Sequence, residues 1–184
     1  MILTKLVSRA ARLRALNLAL AVATLAGLCA FAPQKAEAGA RVSFPDSVEP
    51  GTIVISAHQR RLYLVNGDGT AISYPVAVPK RGKEWSGSTY VSAKHDHPDW
   101  SPPDAVRRDH PELPGLIPGG SPHNPMGARA ITLDRDEVAI HGTTNRMRAS
   151  IGSAASYGCI RMRNEDVSDL YNRVSVGTPV IMEP

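Results

Sequence analysis

Cys159 lies within Ser156-Tyr157-Gly158-Cys159-Ile160-Arg161-Met162, and His141-Gly142-Thr143 precedes it along the chain. The other cysteine, Cys29, falls in a stretch that reads as an export leader, so the processed protein keeps a single thiol. A lone thiol in an exported protein has no intramolecular disulfide partner and calls for another explanation. Free cysteine, with a pKa of about 8.5, is only a few per cent thiolate at neutral pH, so a nucleophilic role needs a base. His141 is the nearest histidine. Attack on an amide carbonyl would create an oxyanion that needs donors aimed at it. The backbone amides around Tyr157, Gly158 and Cys159 are the candidates, since glycine permits the dihedrals such a turn requires. No Asp or Asn flanks His141 to complete a conventional triad, so a carbonyl at Gly142 or Thr143 is left to orient it. On extended backbone Arg161 shares a face with Cys159, where a guanidinium can grip a carboxylate through two bonds. The bland alternative is a small buried hydrophobe at Cys159 and a hydrogen-bonded strand-end residue at His141. Spacing alone leaves both readings open.

The elements that must position these residues are mainly strands. Thr52–Ser56 is β-branched and apolar, and Arg61–Val65 meets Ala71–Val78 across Asn66-Gly67-Asp68-Gly69, a hairpin signal. Ser88–Ala93 reads as another strand. Ala130–Leu133 and Val138–His141 pair around Asp134-Arg135-Asp136, which sets His141 at a strand end. One helix is expected, with Asn164 as N-cap, Glu165 and Asp166 in the first turn, and Val167, Leu170, Tyr171 and Val174 on the apolar face. Gly177 ends it, and Thr178–Met182 returns as a final strand. Pro98 to Pro125 is rich in Pro and Gly and lacks periodicity, which points to a functional or mobile loop. The expected fold is mainly β with one or two helices, sandwich-like, with the site in a cleft beside a strand end.

Residues 1–38 read as a secretory signal: a basic region at Lys5, Arg9, Arg12 and Arg14, an apolar run from Leu16 to Ala32, and Ala36-Glu37-Ala38 as the cleavage site. Mature protein would start at Gly39. Residues 39–50 would be a short polar lead-in and 51–184 the catalytic domain. An uncleaved anchor is the alternative, since the apolar run approaches spanning length; a lipid anchor at Cys29 fits less well, with Leu28 before it. The leader carries five of the 21 basic residues and one of the 17 acidic ones, so the two signs balance in what remains. That excludes a nucleic-acid reading from the high overall pI. His95-Asp96-His97 with Asp99 superficially suggests a metal site, but Pro98 and the polar surroundings suit an exposed loop, and no metal or cofactor is expected. His123 reads as a solvated loop residue, Trp85 and Trp100 as covers for core or groove, and Arg107-Arg108 as a solvated face.

The pattern extends beyond a Cys–His pair. His141-Gly142-Thr143, Ile151-Gly152, Ser156-x-Gly158-Cys159-Ile160-Arg161-Met162, Asn164-x-Asp166-Val167, Leu170-Tyr171 and Gly177-Thr178-x-Val180 together resemble the L,D-transpeptidase catalytic domain (YkuD-type) of bacterial cell walls. Pro98–Pro103, Gly119-Gly120 and Asn124–Ala130 carry the likeness upstream, so it runs from about Thr52 to Met182. The resemblance implies that Cys159 is the acylated nucleophile, His141 its acid–base partner, Gly142 the backbone that orients His141, and Gly158 part of an oxyanion hole. Arg161, Tyr157, Thr143 and Asn124 are then the candidate substrate contacts. Many family members carry a second histidine where this chain has Tyr157; packing is the favoured reading there, and the acid–base role stays with His141. The implied donor is a peptidoglycan tetrapeptide stem, cleaved before its terminal D-Ala in the periplasm. The acceptor would be a stem amine giving a 3–3 cross-link, a lipoprotein lysine giving an anchor, or water, which would make it an L,D-carboxypeptidase. A non-catalytic wall-binding module is the rival of another class. Carbapenem-type β-lactams would acylate Cys159.

Overall fold

The computed structural model describes residues 39–45 and 47–184, so the expected leader lies outside the described residues. Three antiparallel strands, β2 (Ile53–Ser56), β3 (Arg61–Val65) and β4 (Thr70–Pro75), follow β1 (Ala40–Ser43). The expected hairpin forms between β3 and β4, with Val65 opposite Ala71 and Asn66 N–H donating to Thr70 O at 2.9 Å. After the short β5 (Val78–Pro79) comes the ten-residue β6 (Gly87–Asp96). β7 (Arg129–Leu133) and β8 (Ala139–His141) form the second expected hairpin, closed by Leu133 N–H to Val138 O at 3.1 Å. β9 (Ala154–Ser156), β10 (Ile160–Arg161) and β11 (Pro179–Glu183) complete the strands.

Nine of these strands make one sheet in the order β1-β4-β3-β2-β11-β6-β7-β8-β10. β6 is its hinge. Gly87–Tyr90 pair with β11 and Val91–Asp96 with β7, with an irregularity between Val91 and Ala93. An extra residue on one strand bends it and sharpens its twist, which splits the sheet into two leaves. Ile53, Ile55 and Leu62 from one leaf and Ile131, Ile140 and Ile160 from the other meet in a single core. Alternation of inward and outward side chains, as in β4 and β11, supplies the apolar face of each leaf. Ala77, just past β4, pairs with Arg161 through bonds of 2.8 and 2.9 Å and so ties the first leaf to β10.

Among the described residues two α-helices are present. α1 (Asp104–Asp109) lies inside the Pro98–Pro125 loop, which is also pinned by mutual Trp100 and Ile117 backbone bonds of 2.9 and 2.8 Å. α2 (Asn164–Arg173) packs on β7 and β8 and buries Val167 and Leu170. Within the polar lead-in, residues 40–43 form an edge strand on β4, because β4 offers them an open ladder. One expectation changes in detail. Arg163 occupies the cap position of α2, without a side-chain cap bond; Asn164 is the first helical residue and sends its amide elsewhere.

Candidate active site

β10 runs parallel to β8, with Ile160 opposite Ile140 and Arg161 opposite His141. Residues paired across a sheet project to the same side, as do residues two apart on one strand. His141 and Arg161 therefore share one face, and Cys159, just before β10 and two residues from Arg161, lies close enough to feel the Arg161 charge. His141 is 5% exposed, and its Nδ1 lies 2.8 Å from Gly142 O. A carbonyl oxygen only accepts, so in the neutral ring Nδ1 carries the proton and Nε2 keeps its lone pair. The thiol of the partly exposed Cys159 donates to Glu137 O at 3.4 Å, and among the described residues no hydrogen bond joins it to the imidazole. Glu137 holds a left-handed conformation, φ 58°, which presents this carbonyl.

Burial dominates the electrostatics. It depresses His141 to a pKa of about 4, helped by the Arg161 charge and opposed by the Gly142 and Pro125 carbonyls. Burial also pushes the Cys159 thiol up, while the Ala139 N–H and the Arg161 charge pull it back. The resting pair is thus thiol and neutral imidazole. Arg161 is 8% exposed. Its Nη1 donates to Ser150 Oγ at 2.7 Å, while its Nε has no partner among the described residues. Glu165, a carboxylate that could have braced it, is engaged by Arg148 instead. Among the described residues no carboxylate pairs with this buried guanidinium, and burial lowers its pKa.

The loop before Cys159 is held from several sides. Gly158 has φ 134°, a conformation L side chains rarely adopt, and its N–H reaches Ser156 Oγ at 3.4 Å. Ser156 Oγ in turn donates to Cys159 O, and Trp85 Nε1 donates to Gly158 O at 2.9 Å. Among the described residues no backbone acceptor meets the N–H of Tyr157 or Cys159. Trp85, Ser156 and Glu137 were not singled out from sequence for these roles; their partners depend on the folded loop.

Other named residues find distinct places. Asn124 is 1% exposed, and its Nδ2 donates to Pro98 O, Ile117 O and Pro118 O at 2.9–3.1 Å. Its Oδ1 accepts from Met126 N–H at 2.9 Å, so the amide is committed to shaping the loop. Asn164 does similar work: Oδ1 accepts from Ala128 N–H (3.1 Å) and Thr143 N–H (2.9 Å), and Nδ2 donates to Thr143 O (3.0 Å). A Cβ at Gly142 would collide with that Oδ1, which explains a glycine directly after His141. Thr143, whose Oγ1 has no partner among the described residues, lines a cavity of about 200 Å3 with His97, Ser121, Asn124, Thr144 and Asn164. Tyr157 donates from its phenol to Asp109 Oδ2 at 2.6 Å, with Lys80 Nζ 3.5 Å over its ring, so packing is only part of its role. His97 contacts Asp96, and His123 is exposed.

A family model, YkuD, the L,D-transpeptidase catalytic domain, matches residues 50–182. Probable L,D-transpeptidase YbiS of Escherichia coli K12 is 37% identical over 142 residues, taking in 74% of this chain and 45% of its own. Probable L,D-transpeptidase ErfK/SrfK of Salmonella typhimurium is 39% identical over 142 residues, with the same two shares of 74% and 45%. The chain thus spans about half the length of these curated relatives. Among solved structures, a probable carnitine operon oxidoreductase caia from Brucella melitensis is 43% identical, with TM-score 0.52 over 76% of this chain and 89% of that one. Its oxidoreductase name is that protein's own. L,D-transpeptidase 3 from Mycobacterium tuberculosis, in complex with a faropenem-derived adduct, has TM-score 0.56 at 17% identity over 72% of this chain and 60% of that one, a likeness of fold alone. The family match and the two curated relatives agree: the chain belongs to the L,D-transpeptidase catalytic-domain family.

Proposed function

We propose that this protein is a cysteine acyltransferase of the bacterial periplasm, exported by a cleaved leader, that acts on peptidoglycan tetrapeptide stems. The observation that carries the reading is the set of groups around Arg161: a partly exposed thiol, a buried neutral imidazole and a buried guanidinium with no carboxylate partner among the described residues. Arg161 binds a donor carboxylate in a site already stripped of water, where the charge acts most strongly. Cys159 Sγ leaves the Glu137 carbonyl and attacks the carbonyl carbon before the terminal D-Ala. Its proton passes to His141 Nε2, and the oxyanion is met by the N–H groups of Cys159 and Tyr157. Collapse breaks the amide C–N bond as His141 returns the proton to the departing D-Ala amine, which leaves a thioester on Cys159. A second amine then takes the acyl group: a stem amine gives a 3–3 cross-link and a lipoprotein lysine gives an anchor. Water as acceptor makes the enzyme an L,D-carboxypeptidase. The chemistry needs no metal or cofactor.

The test pairs a synthetic tetrapeptide stem with intact-mass measurement. The wild-type protein should release D-Ala and gain the tripeptide acyl mass on Cys159, and folded Cys159→Ala should do neither. A carbapenem should add to the same thiol, in line with the β-lactam-derived adduct borne by the M. tuberculosis protein. Turnover by Cys159→Ala would falsify the assignment. Stem binding with no acyl mass would instead identify a wall-binding module.

A further inference from the structure

The first turn of α2 contains an unexplained buried carboxyl group. Asp166 is 3% exposed, and its Oδ2 has no hydrogen-bond partner among the described residues. Nearby cations do not satisfy it. Arg148 is taken by Glu165, and Arg163 adds only attraction through space. A buried carboxyl with an unpaired oxygen is costly, and a group of opposite charge with free donors would satisfy it. Burial raises the pKa of the Asp166 carboxyl, and among the groups that pull it back is the backbone N–H of Gly39, at the start of the described chain. Gly39 is closely seated. It has φ 76°, and a Cβ there would fall 2.5 Å from Ile72 Cγ2 and 2.7 Å from Tyr74 Cε1. Next to it, Ala40 pairs with Ser73 in the β1–β4 ladder, so its position is set by the sheet. Gly39 is also the residue that the Ala36-Glu37-Ala38 site would leave at the mature terminus.

We propose that Asp166 is the seat of the mature N-terminus: the α-ammonium of Gly39, freed by leader removal, forms a buried ion pair with the Asp166 carboxylate. Hydrolysis of the Ala38–Gly39 bond by a signal peptidase consumes one water, leaving a carboxylate on Ala38 and an amine on Gly39 that takes up a proton. One neutral N–H donor thereby becomes a charged group with three donors, enough to reach the orphan Oδ2 as well. The seat lies two residues beyond Asn164, whose amide holds the Thr143 backbone beside His141. Processing thus tightens the end of α2 that positions the catalytic histidine. The proposal rests on the export reading given above.

The experiment uses the full chain, secreted by a bacterial host and recovered processed. Four versions form a cycle: wild type, two serines inserted between Ala38 and Gly39, Asp166→Asn, and both changes together. The insertion preserves the cleavage site and displaces the ammonium from the seat. Intact mass should give a start at Gly39 for wild type; a start elsewhere overturns both the processing reading and the seat. The insertion and Asp166→Asn should each lower the melting temperature by about 3–5 °C, and the double change by no more than either single one. At neutral pH an amine-acylating reagent should label the wild-type terminus about tenfold more slowly than the Asp166→Asn terminus, as a one-unit rise in amine pKa requires. A Gly39 start with additive melting losses and equal labelling rates overturns the seat while leaving the processing reading standing.

Discussion

Burial keeps His141 neutral and burdens the charge of Arg161, and each yields a prediction. Because burial holds His141 to a pKa of about 4, its neutral, proton-accepting form persists well below the ordinary histidine range. The thiol, pushed up by burial, stays protonated into alkaline solution. kcat/KM should therefore be flat across neutral pH, with its acid limb near 4; a limb at about 6.5 would rule out a buried neutral base. Arg161 invites a different comparison. A buried guanidinium with an unpaired Nε costs stability, so Arg161→Met, similar in length and apolar, should leave the melting temperature level or raised. The same change should lower kcat/KM about 100-fold, roughly 3 kcal/mol, through loss of a charge-assisted carboxylate contact. Arg161→Lys should also be impaired, because it keeps the charge without the fork. A fall in stability with normal kinetics would make Arg161 a brace.

At the scale of elements, two side chains tie loops to the site. Asn164, at the start of α2, satisfies two backbone N–H groups and one carbonyl on loops that are distant in sequence. Asn164→Ala strands them in a partly buried setting, at an expected cost of about 2–4 kcal/mol in chemical denaturation, with a loss of activity. Asn164→Asp retains the acceptor, so it should recover part of both. The Tyr157–Asp109 bond, with Lys80 3.6 Å from the same carboxylate, links α1 to the loop that carries Cys159. The bond lies at the solvent-exposed surface, so Tyr157→Phe should shift the melting temperature by no more than about 1 °C. It should nevertheless speed hydrogen exchange in α1, most clearly at Arg107 and His110, whose N–H groups bond Pro103 O (2.9 Å) and Val106 O (2.8 Å). Unchanged exchange would show that the latch holds nothing.

For the molecule as a whole, the depressed histidine sets a pH window of stability. Folded His141 titrates near 4 and unfolded histidine near 6.5, so between these values the unfolded chain binds more protons. Stability is full above about 6.5 and declines as pH falls towards 4. The size is about 3 kcal/mol, from a shift of roughly two and a half units at about 1.4 kcal/mol each. Urea midpoints at pH 7 and pH 4.5 should differ more in wild type than in His141→Gln, which lacks the titrating group. Equal differences would place the acid sensitivity elsewhere.

The amino-acid sequence by itself determined the features that depend on near neighbours. Turn dipeptides and alternating apolar residues set both hairpins, and the bend between Leu133 and Val138 brought His141 to a strand end. The thiol motif and its resemblance singled out Cys159 and His141 for the same reason: the glycines and flanking residues that characterise the motif are local. Tertiary structure decided what each group meets. Asn164 read as a cap and became a clamp between two loops; Asn124 found the carbonyls of Pro98, Ile117 and Pro118; Tyr157 found Asp109, 48 residues earlier. Even β1 became a strand only because β4 presented a free edge. Such partners are distant along the chain, and turn chemistry or periodicity carries no information about them. The depressed His141 pKa and the orphaned Asp166 oxygen lie further still beyond sequence, because burial is a sum over every element packed around a group, and that sum exists only once the chain has folded.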